Sequence, residues 1–403
     1  FALNADPSSS QALRIKAASE FGLGDLTAAQ QTTQDLLKLA PDFAQGHLLL
    51  SEILRMSGRH MACANALKAA LRLLGPRPDI LLKLGLALHE AGQVEAAAQC
   101  HSLLLAIDND TLEAAVQRNQ IAPAALRKGR SQLDAHLTEL HGKWLDDYCG
   151  GVTPASMSRI KDIIWPQTRP DFSFADAALQ QPQGMIVPGL RPVPVFDAAE
   201  FPWSGALEQQ LTSIRQEVLR VLPEYEDVRP YIQSGSDSNP EWKKLDGSKS
   251  WGSIHLYQYG RPVPEALARF PTLASALKEI PFSRIDGGPS EVFLSILRPA
   301  TRIPLHFGLS NMAVTVHFPI LIPDSCGISV GGITHQWKEG ELFFFDDSFI
   351  HSAWNMSDKI RIVLIFEVWH PDLTEEECGA IDYCYTNRKK WIDSVEYSDI
   401  IAE

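Results

Sequence analysis

Two histidines open the problem. His306 stands in Pro304-Leu305-His306-Phe307-Gly308, and 45 residues later His351 ends the run Phe345-Asp346-Asp347-Ser348-Phe349-Ile350-His351. Neutral imidazoles suit a first-row metal such as Fe(II), provided the fold brings them together. Ten residues after the second histidine comes Arg361, at the head of an apolar run. A guanidinium there could grip the far carboxylate of an oxoacid whose near end chelates the metal. Clamp and chelate together describe a site for 2-oxoglutarate. The bland alternative for Arg361 is an ion pair with Asp346 or Asp347. No His-x-Asp or His-x-Glu follows His306, because Gly308 holds that place. Asp346 and Asp347 are fallback ligands, or they hydrogen-bond the loop that aims His351.

Placing these groups requires strands. After Asp197, short β-branched and aromatic runs alternate with turn signals. Strands are predicted at 253–259, 291–297, 313–322, 327–330, 333–337, 341–345 and 361–368, and helices at 204–222 and 264–279. Gly331-Gly332 marks a hairpin. Val314, Val316, Phe318 and Ile320 share one strand face, with Thr315, His317 and Pro319 opposite. Ile362, Leu364, Phe366 and Val368 likewise oppose Arg361, Val363 and Ile365. This spacing predicts a jelly roll, a double-stranded β-helix with flanking helices. Its open end would bring His306 and His351 together, each at a turn flanking a strand.

The N-terminal part repeats. Gly24, Gly58 and Gly92 are 34 residues apart, followed at +4 by Ala28, Ala62 and Ala96, and at +5 by Ala29, Cys63 and Ala97. Leu37, Leu71 and Leu105 stand at +13, and each unit closes at Pro41, Gly75-Pro76 or Asp108-Asn109. A helix pair per repeat follows, with the glycine in the turn and small residues at the close approach. The period resembles the tetratricopeptide repeat, although the large aromatic that usually opens its first helix is missing. Such an array is either a rigid spacer or a groove for an extended peptide. The expected organisation is α+β and multidomain: an all-α repeat superhelix over 1–149, a linker or wrapping arm over 150–197, and an oxygenase domain with a C-terminal tail over 198–403.

Composition narrows the classes. The 403 residues are 45% hydrophobic and 21% charged, which excludes fibrous and disordered chains. Thirty-six basic against 49 acidic residues give a net charge of −13, a poor match for nucleic acid. No apolar run is long enough to span a membrane. Six cysteines without CxxC spacing read as free thiols, and a cytoplasmic location is the expectation. The sequence opens on Phe1 rather than methionine, so a preceding segment is left open.

The segment 197–373 resembles the aspartyl/asparaginyl β-hydroxylase family of Fe(II)/2-oxoglutarate oxygenases. The resemblance rests on Pro-x-His-x-Gly at His306, on Glu-Gly-x-x-x-x-Phe-Asp-Asp-Ser-Phe-x-His from Glu339 to His351, and on the run from Arg361 ending Val-Trp-His-Pro-x-Leu. Trp251 to Arg261 (WGSIHLYQYGR) matches the family's first strand. Since eukaryotic members carry tetratricopeptide-like helices before the oxygenase, it extends loosely over the whole protein. It implies that His306 and His351 ligate Fe(II), with 2-oxoglutarate and O₂ completing the site and water in place of a third protein ligand. It further implies that Arg361 and Ser295 hold the distal carboxylate and that His317 lies near the cosubstrate. Trp251 is either a cosubstrate-site residue or a core residue.

One departure bears on the substrate. Family members acting on aspartyl groups carry basic residues where Ala313 and Thr315 stand here. Arg298, Arg302, Lys243 and Lys244 are the candidates to compensate. The expectation is an oxygenase that hydroxylates a C–H bond in an amino-acid side group of a protein or peptide docked on the repeats. The alternatives are a degenerate domain serving as a repeat-based interaction protein, and an oxygenase of a small molecule.

Overall fold

The computed structural model describes residues 9–107, 109–169, 171–222, 228–233 and 239–402. They divide into two units, Phe1–Leu140 with Arg388–Glu403, and His141–Asn387. Among the described residues no helix is long and apolar enough to cross a membrane, and all six cysteines are free thiols.

In the first unit the 34-residue period becomes three helix pairs: Ser10–Gly22 with Leu26–Leu39, Ala44–Met56 with His60–Leu74, and Pro78–Glu90 with Val94–Leu105. Gly24, Gly58 and Gly92 turn each pair at φ of 80°, 69° and 80°, a conformation that strains a side chain. Ala29, Cys63 and Ala97 are buried, so the paired helices close tightly. Of the three expected seam leucines only Leu71 is fully buried; Leu37 and Leu105 are half-buried. The stop expected at Asp108 lies outside the described residues.

The last sixteen residues, expected as a tail of the β domain, group with the helices instead. Ile400 is buried in the cluster that holds Leu67 and Leu71, and the Tyr397 hydroxyl donates to the Leu71 carbonyl at 2.8 Å. Lys68 and Arg72 donate to the carbonyls of Ala402 and Ile401, where cations suit the end of the helix Tyr397–Ile401.

The expected boundary at 149 also moves. The helix Pro123–Tyr148 is continuous, but Leu133 and Leu137 pack with Ala98 whereas Leu145 packs with Met157 and Ile160, so the division falls at Leu140.

The second unit is built on strands β1 (Val195–Phe196), β2 (Arg229–Pro230), β3 (Trp251–Gln258), β4 (Arg261–Pro262), β5 (Arg284–Ile285), β6 (Gly288–Pro289) and β7 (Glu291–Leu297). They are followed by β8 (Thr301–His306), β9 (Ala313–Leu321), β10 (Cys326–Val330), β11 (Ile333–His335), β12 (Phe343–Phe345), β13 (His351–Asn355) and β14 (Arg361–Trp369). The larger sheet runs β1-β12-β9-β14-β7-β3-β2 with β4 on β3, and the smaller runs β11-β10-β13-β8; both are antiparallel. Gly331 and Gly332, both at positive φ, form the β10–β11 hairpin.

Besides the two-residue strands β1, β2, β4, β5 and β6, the strands β8 and β13 lie outside the expected set, and these two carry the histidines. The predicted helix 264–279 breaks before Pro271, which cannot donate within a helix, and 204–222 breaks into Ser204–Glu208 and Leu211–Val221.

The pleat sorts side chains as the alternation implies. Val314, Val316, Phe318, Ile320, Ile362, Leu364, Phe366 and Val368 enter one core beneath the helices. The other face of the large sheet meets the small sheet: Leu297, Phe343 and Phe345 share a cluster with Ile303, Ile328, Val330 and Ala353. Residues 150–197 form no extended linker. Ile160, Ile163, Trp165, Met185 and Val187 are buried against Met312, Ile381 and Cys384.

A buried histidine gives the helical unit a pH dependence. His101 is 1% exposed, contacts Gln132 Oε1 at 3.0 Å, and is lowered by burial to about 4 from 6.5. The folded state therefore binds its proton more weakly than the unfolded state. Its contribution is whole above pH 6.5 and is lost as pH falls toward 4, a swing of about 3 kcal/mol. Urea unfolding followed by far-ultraviolet circular dichroism at pH 7 and pH 4.5 should show the loss, and His101→Gln should flatten it.

Candidate active site

His306 ends β8 and His351 begins β13, and the two residues are direct partners in the ladder between these strands. Their ring centroids are 3.9 Å apart at 51°. Each ring is fixed the same way. His306 Nδ1 lies 2.8 Å from the Pro304 carbonyl, and His351 Nδ1 lies 2.8 Å from the Phe349 carbonyl. A proton on each Nδ1 donates to that carbonyl and leaves Nε2 with its lone pair as a metal ligand. Burial lowers both imidazoles, His351 to about 3, so both are neutral near pH 7. The donor set fits a first-row divalent metal. Among the described residues no three His, Cys, Asp or Glu side chains converge on one point, so a metal here would rest on this pair and on non-protein ligands.

Arg361 opens β14 and is 0% exposed. Its Nη1 donates to Ser295 Oγ at 2.9 Å, and its guanidinium lies 4.7 Å from the centre of the Trp337 ring. Its Nε has no hydrogen-bond partner, and no carboxylate pairs with it among the described residues. The ion pair with Asp346 or Asp347 is therefore absent. Burial brings the guanidinium down to about 10, still charged near neutrality. A buried cation with an idle donor fits an anionic ligand.

Ser295 Oγ also accepts from Trp251 Nε1 at 3.1 Å. One hydroxyl thus ties β3, β7 and β14 together behind the guanidinium. Ser295 does not line the cavity and acts through Arg361, whereas Trp251 lines it and donates to Ser295. His317 is 5% exposed, with Nδ1 unpartnered, set between Trp337 and Phe345. Burial, with Arg361 nearby, drives it well below 6.5.

These groups share one cavity of about 260 Å³ in the second unit, lined by His306, His317, His351, Arg361 and Trp251, with Thr315, Asp347 and Glu367. Thr315 faces it, as the alternation implies; Ala313 packs away from it against Met312. None of the four candidate compensating cations lines it: Arg302 lies over Trp354, Arg298 donates to the Lys249 carbonyl, and Lys243 and Lys244 are not on its wall.

Gly308 has a specific reason to lack a side chain. A Cβ there would run into the Asp347 carboxyl, and its N–H donates to the Asp347 carbonyl at 2.7 Å. The space of the missing carboxylate is already filled by another. Asp346 is buried, accepts from the Ser348 N–H at 2.9 Å, and is pushed up to about 6 by burial. It braces the loop before His351.

The stretch 150–197, expected as a linker or wrapping arm, holds these loops through residues that the sequence reading does not single out. Gln180 Nε2 donates to Ser348 Oγ at 2.9 Å, and the Ile350 N–H donates to the Leu179 carbonyl at 2.7 Å. A few residues on, the Gly184 and Met185 N–H groups donate to the Leu309 carbonyl at 2.7 and 2.9 Å. One stretch therefore grips the turns beside both histidines. Its Pro, Gly and Ser content allows a linker or a wrapping arm and does not say which turns it grips.

A family model described as Aspartyl/Asparaginyl beta-hydroxylase matches residues 208–371. The protein is similar to the ornithine lipid ester-linked acyl 2-hydroxylase of Rhizobium tropici, 29% identical over 44% of this sequence and 61% of that one. It is similar to aspartate beta-hydroxylase domain-containing protein 2 of Homo sapiens, 26% identical over 60% and 64% respectively. It is also similar to the aspartyl/asparaginyl beta-hydroxylase of Mus musculus, 32% identical over 34% and 19%. The match thus spans less than two thirds of the length of these relatives.

Rebuilding a His-x-Asp motif should fail here. Gly308→Asp forces a second carboxylate onto Asp347 and should lower the melting temperature, whereas Gly308→Asp with Asp347→Ala should recover most of the loss. Differential scanning calorimetry on both variants checks this.

Proposed function

We propose, from the premise that the domain spanning 208–371 belongs to the aspartyl/asparaginyl β-hydroxylase family, that this protein is an Fe(II)- and 2-oxoglutarate-dependent dioxygenase. The observation that carries the reading is the fully buried, unpartnered Nε of Arg361 in the same cavity as a pair of Nε2-presenting imidazoles. We read the two facing sheets as a double-stranded β-helix and the helix pairs as a tetratricopeptide-like array.

His306 and His351 would hold the metal through Nε2. With 2-oxoglutarate and O₂, bound iron supplies the oxidation that converts a substrate C–H to C–OH, giving succinate and CO₂. The protein's part is placement. Arg361 fixes the distal carboxylate of 2-oxoglutarate, Ser295 and Trp337 fix Arg361, and His317 offers a neutral edge beside it. The apolar wall of Ile303, Ile328, Phe345 and Ala353 keeps water from the reacting carbon.

The substrate we favour is a side chain of a protein or peptide, delivered by the helical unit. That unit has its own cavity of about 480 Å³, lined in part by Ser51, Glu52, Arg55, His60, Lys83 and Lys128. A small-molecule or lipid substrate is the second reading, supported by the name of the Rhizobium relative. The free thiols support a reducing, cytoplasmic setting.

With iron, ascorbate and a peptide library, the protein should form succinate and add one oxygen to a peptide. His306→Ala and His351→Ala should each abolish iron uptake and succinate formation. Arg361→Leu should raise the KM for 2-oxoglutarate by about two orders of magnitude, the scale of a broken buried charge pair. Turnover by His351→Ala at the wild-type rate would overturn the assignment, and a wild type that binds neither iron nor 2-oxoglutarate would leave the interaction-protein alternative standing.

A further inference from the structure

Away from Arg361 the cavity wall is acidic. Glu291 at the start of β7, Glu367 on β14 and Asp347 line it, and Arg361 is the one lysine or arginine on the wall among the described residues. The guanidinium forms no ion pair with them among the described residues; its hydrogen bond goes to Ser295. Glu291 is held by His255 at 2.9 Å through one oxygen. Glu367 accepts from Ser290 at 2.6 Å and from Ser283 at 3.4 Å, both on Oε2, and no donor reaches Oε1 among the described residues. Burial, with Glu291 nearby, holds Glu367 above the usual carboxylate range.

The flank beside these carboxylates is aromatic. Tyr231 and Phe293 both line the cavity and stack at 5.1 Å, and Tyr231 stacks on Trp251 at 4.2 Å. Carboxylates beside ring faces suit an organic cation, through ion pairing and the ring quadrupole together. That the cavity takes a ligand at all is indicated independently by the idle, fully buried Nε of Arg361 on the same wall.

We propose that this wall receives a positively charged group of the substrate, a primary ammonium or guanidinium, so that the site selects a cationic substrate rather than an aspartyl one. The assignment rests on the oxygenase reading of the same cavity. Thr315 agrees with it: where an anionic substrate would meet a basic residue, this protein offers a hydroxyl that hydrogen-bonds Asp347. The cation's source is either a basic side chain of a peptide or a free amine, and the wall serves both.

The test is calorimetric titration of the full-length protein, without metal or cosubstrate, with acetyl-lysine methylamide, its neutral isostere acetyl-norleucine methylamide, acetyl-aspartate methylamide and n-butylamine. The lysine probe should bind at least about tenfold tighter than the norleucine and aspartate probes. Glu367→Gln and Glu291→Gln should each remove most of that preference. Tighter binding of capped lysine than of n-butylamine marks a peptide substrate, and the reverse marks a small amine.

Equal or tighter binding of norleucine or aspartate, no binding of either cation, or a preference that survives both substitutions overturns the proposal. Tryptophan-fluorescence titration with 2-oxoglutarate separates the two readings. Glu367→Gln should leave that affinity within about twofold. A wild type that shows no cation preference but binds 2-oxoglutarate in an Arg361-dependent way sinks this proposal alone, whereas a wild type blind to 2-oxoglutarate sinks the oxygenase reading.

Discussion

Arg361 carries a full charge into a place where the surrounding protein supplies a serine hydroxyl and an indole face but no countercharge. Transferring a guanidinium from water to such a site opposes folding, and an aliphatic residue of like volume would serve stability better. The neighbours limit the damage without removing it. Ser295 takes one donor, Trp337 faces the cation, and Nε is left with nothing. A group placed at that cost, at the head of a central strand and facing a cavity, makes sense through what it binds.

The rest of the second unit follows from giving that charge a cavity. Alternation on β9 and β14 sends four apolar residues of each strand toward the helices and sends Thr315, His317, Arg361, Ile365 and Glu367 the other way. The smaller sheet then brings the paired histidines to the same cavity. Its wall presents neutral imidazoles, the Arg361 guanidinium and the carboxyl groups of Glu291, Glu367 and Asp347. One cavity thus holds groups suited to an anionic partner and groups suited to a cationic one.

Much of this was legible in the sequence, for local reasons. The glycine period located helix turns because positive φ is a local demand, and runs of β-branched and aromatic residues located β7, β9 and β14, whose two faces are both largely buried. The motifs named His306, His351 and Arg361, and the fold brings all three together with Trp251 and His317. What failed was non-local. The strand Thr301–His306 contains Pro304, and His351–Asn355 lacks a β-branched run; both are strands because they pair with each other. The repeat unit's claim on the last sixteen residues is likewise a tertiary contact, made by Ile400 and Tyr397. Glu291 and Glu367 lie 76 positions apart and become neighbours only through sheet order.

The arm from Leu179 to Met185 contributes no ligand, yet it ties the turn after His306 to the turn before His351 by backbone hydrogen bonds. Those bonds are indifferent to which side groups the arm carries, so the segment can drift in sequence while its hold stays the same. Transplanting the described strands into another scaffold would carry over both imidazoles and Arg361 and still leave the turns beside the imidazoles unbraced. The transferable module of this architecture is the pair of facing sheets together with its strap.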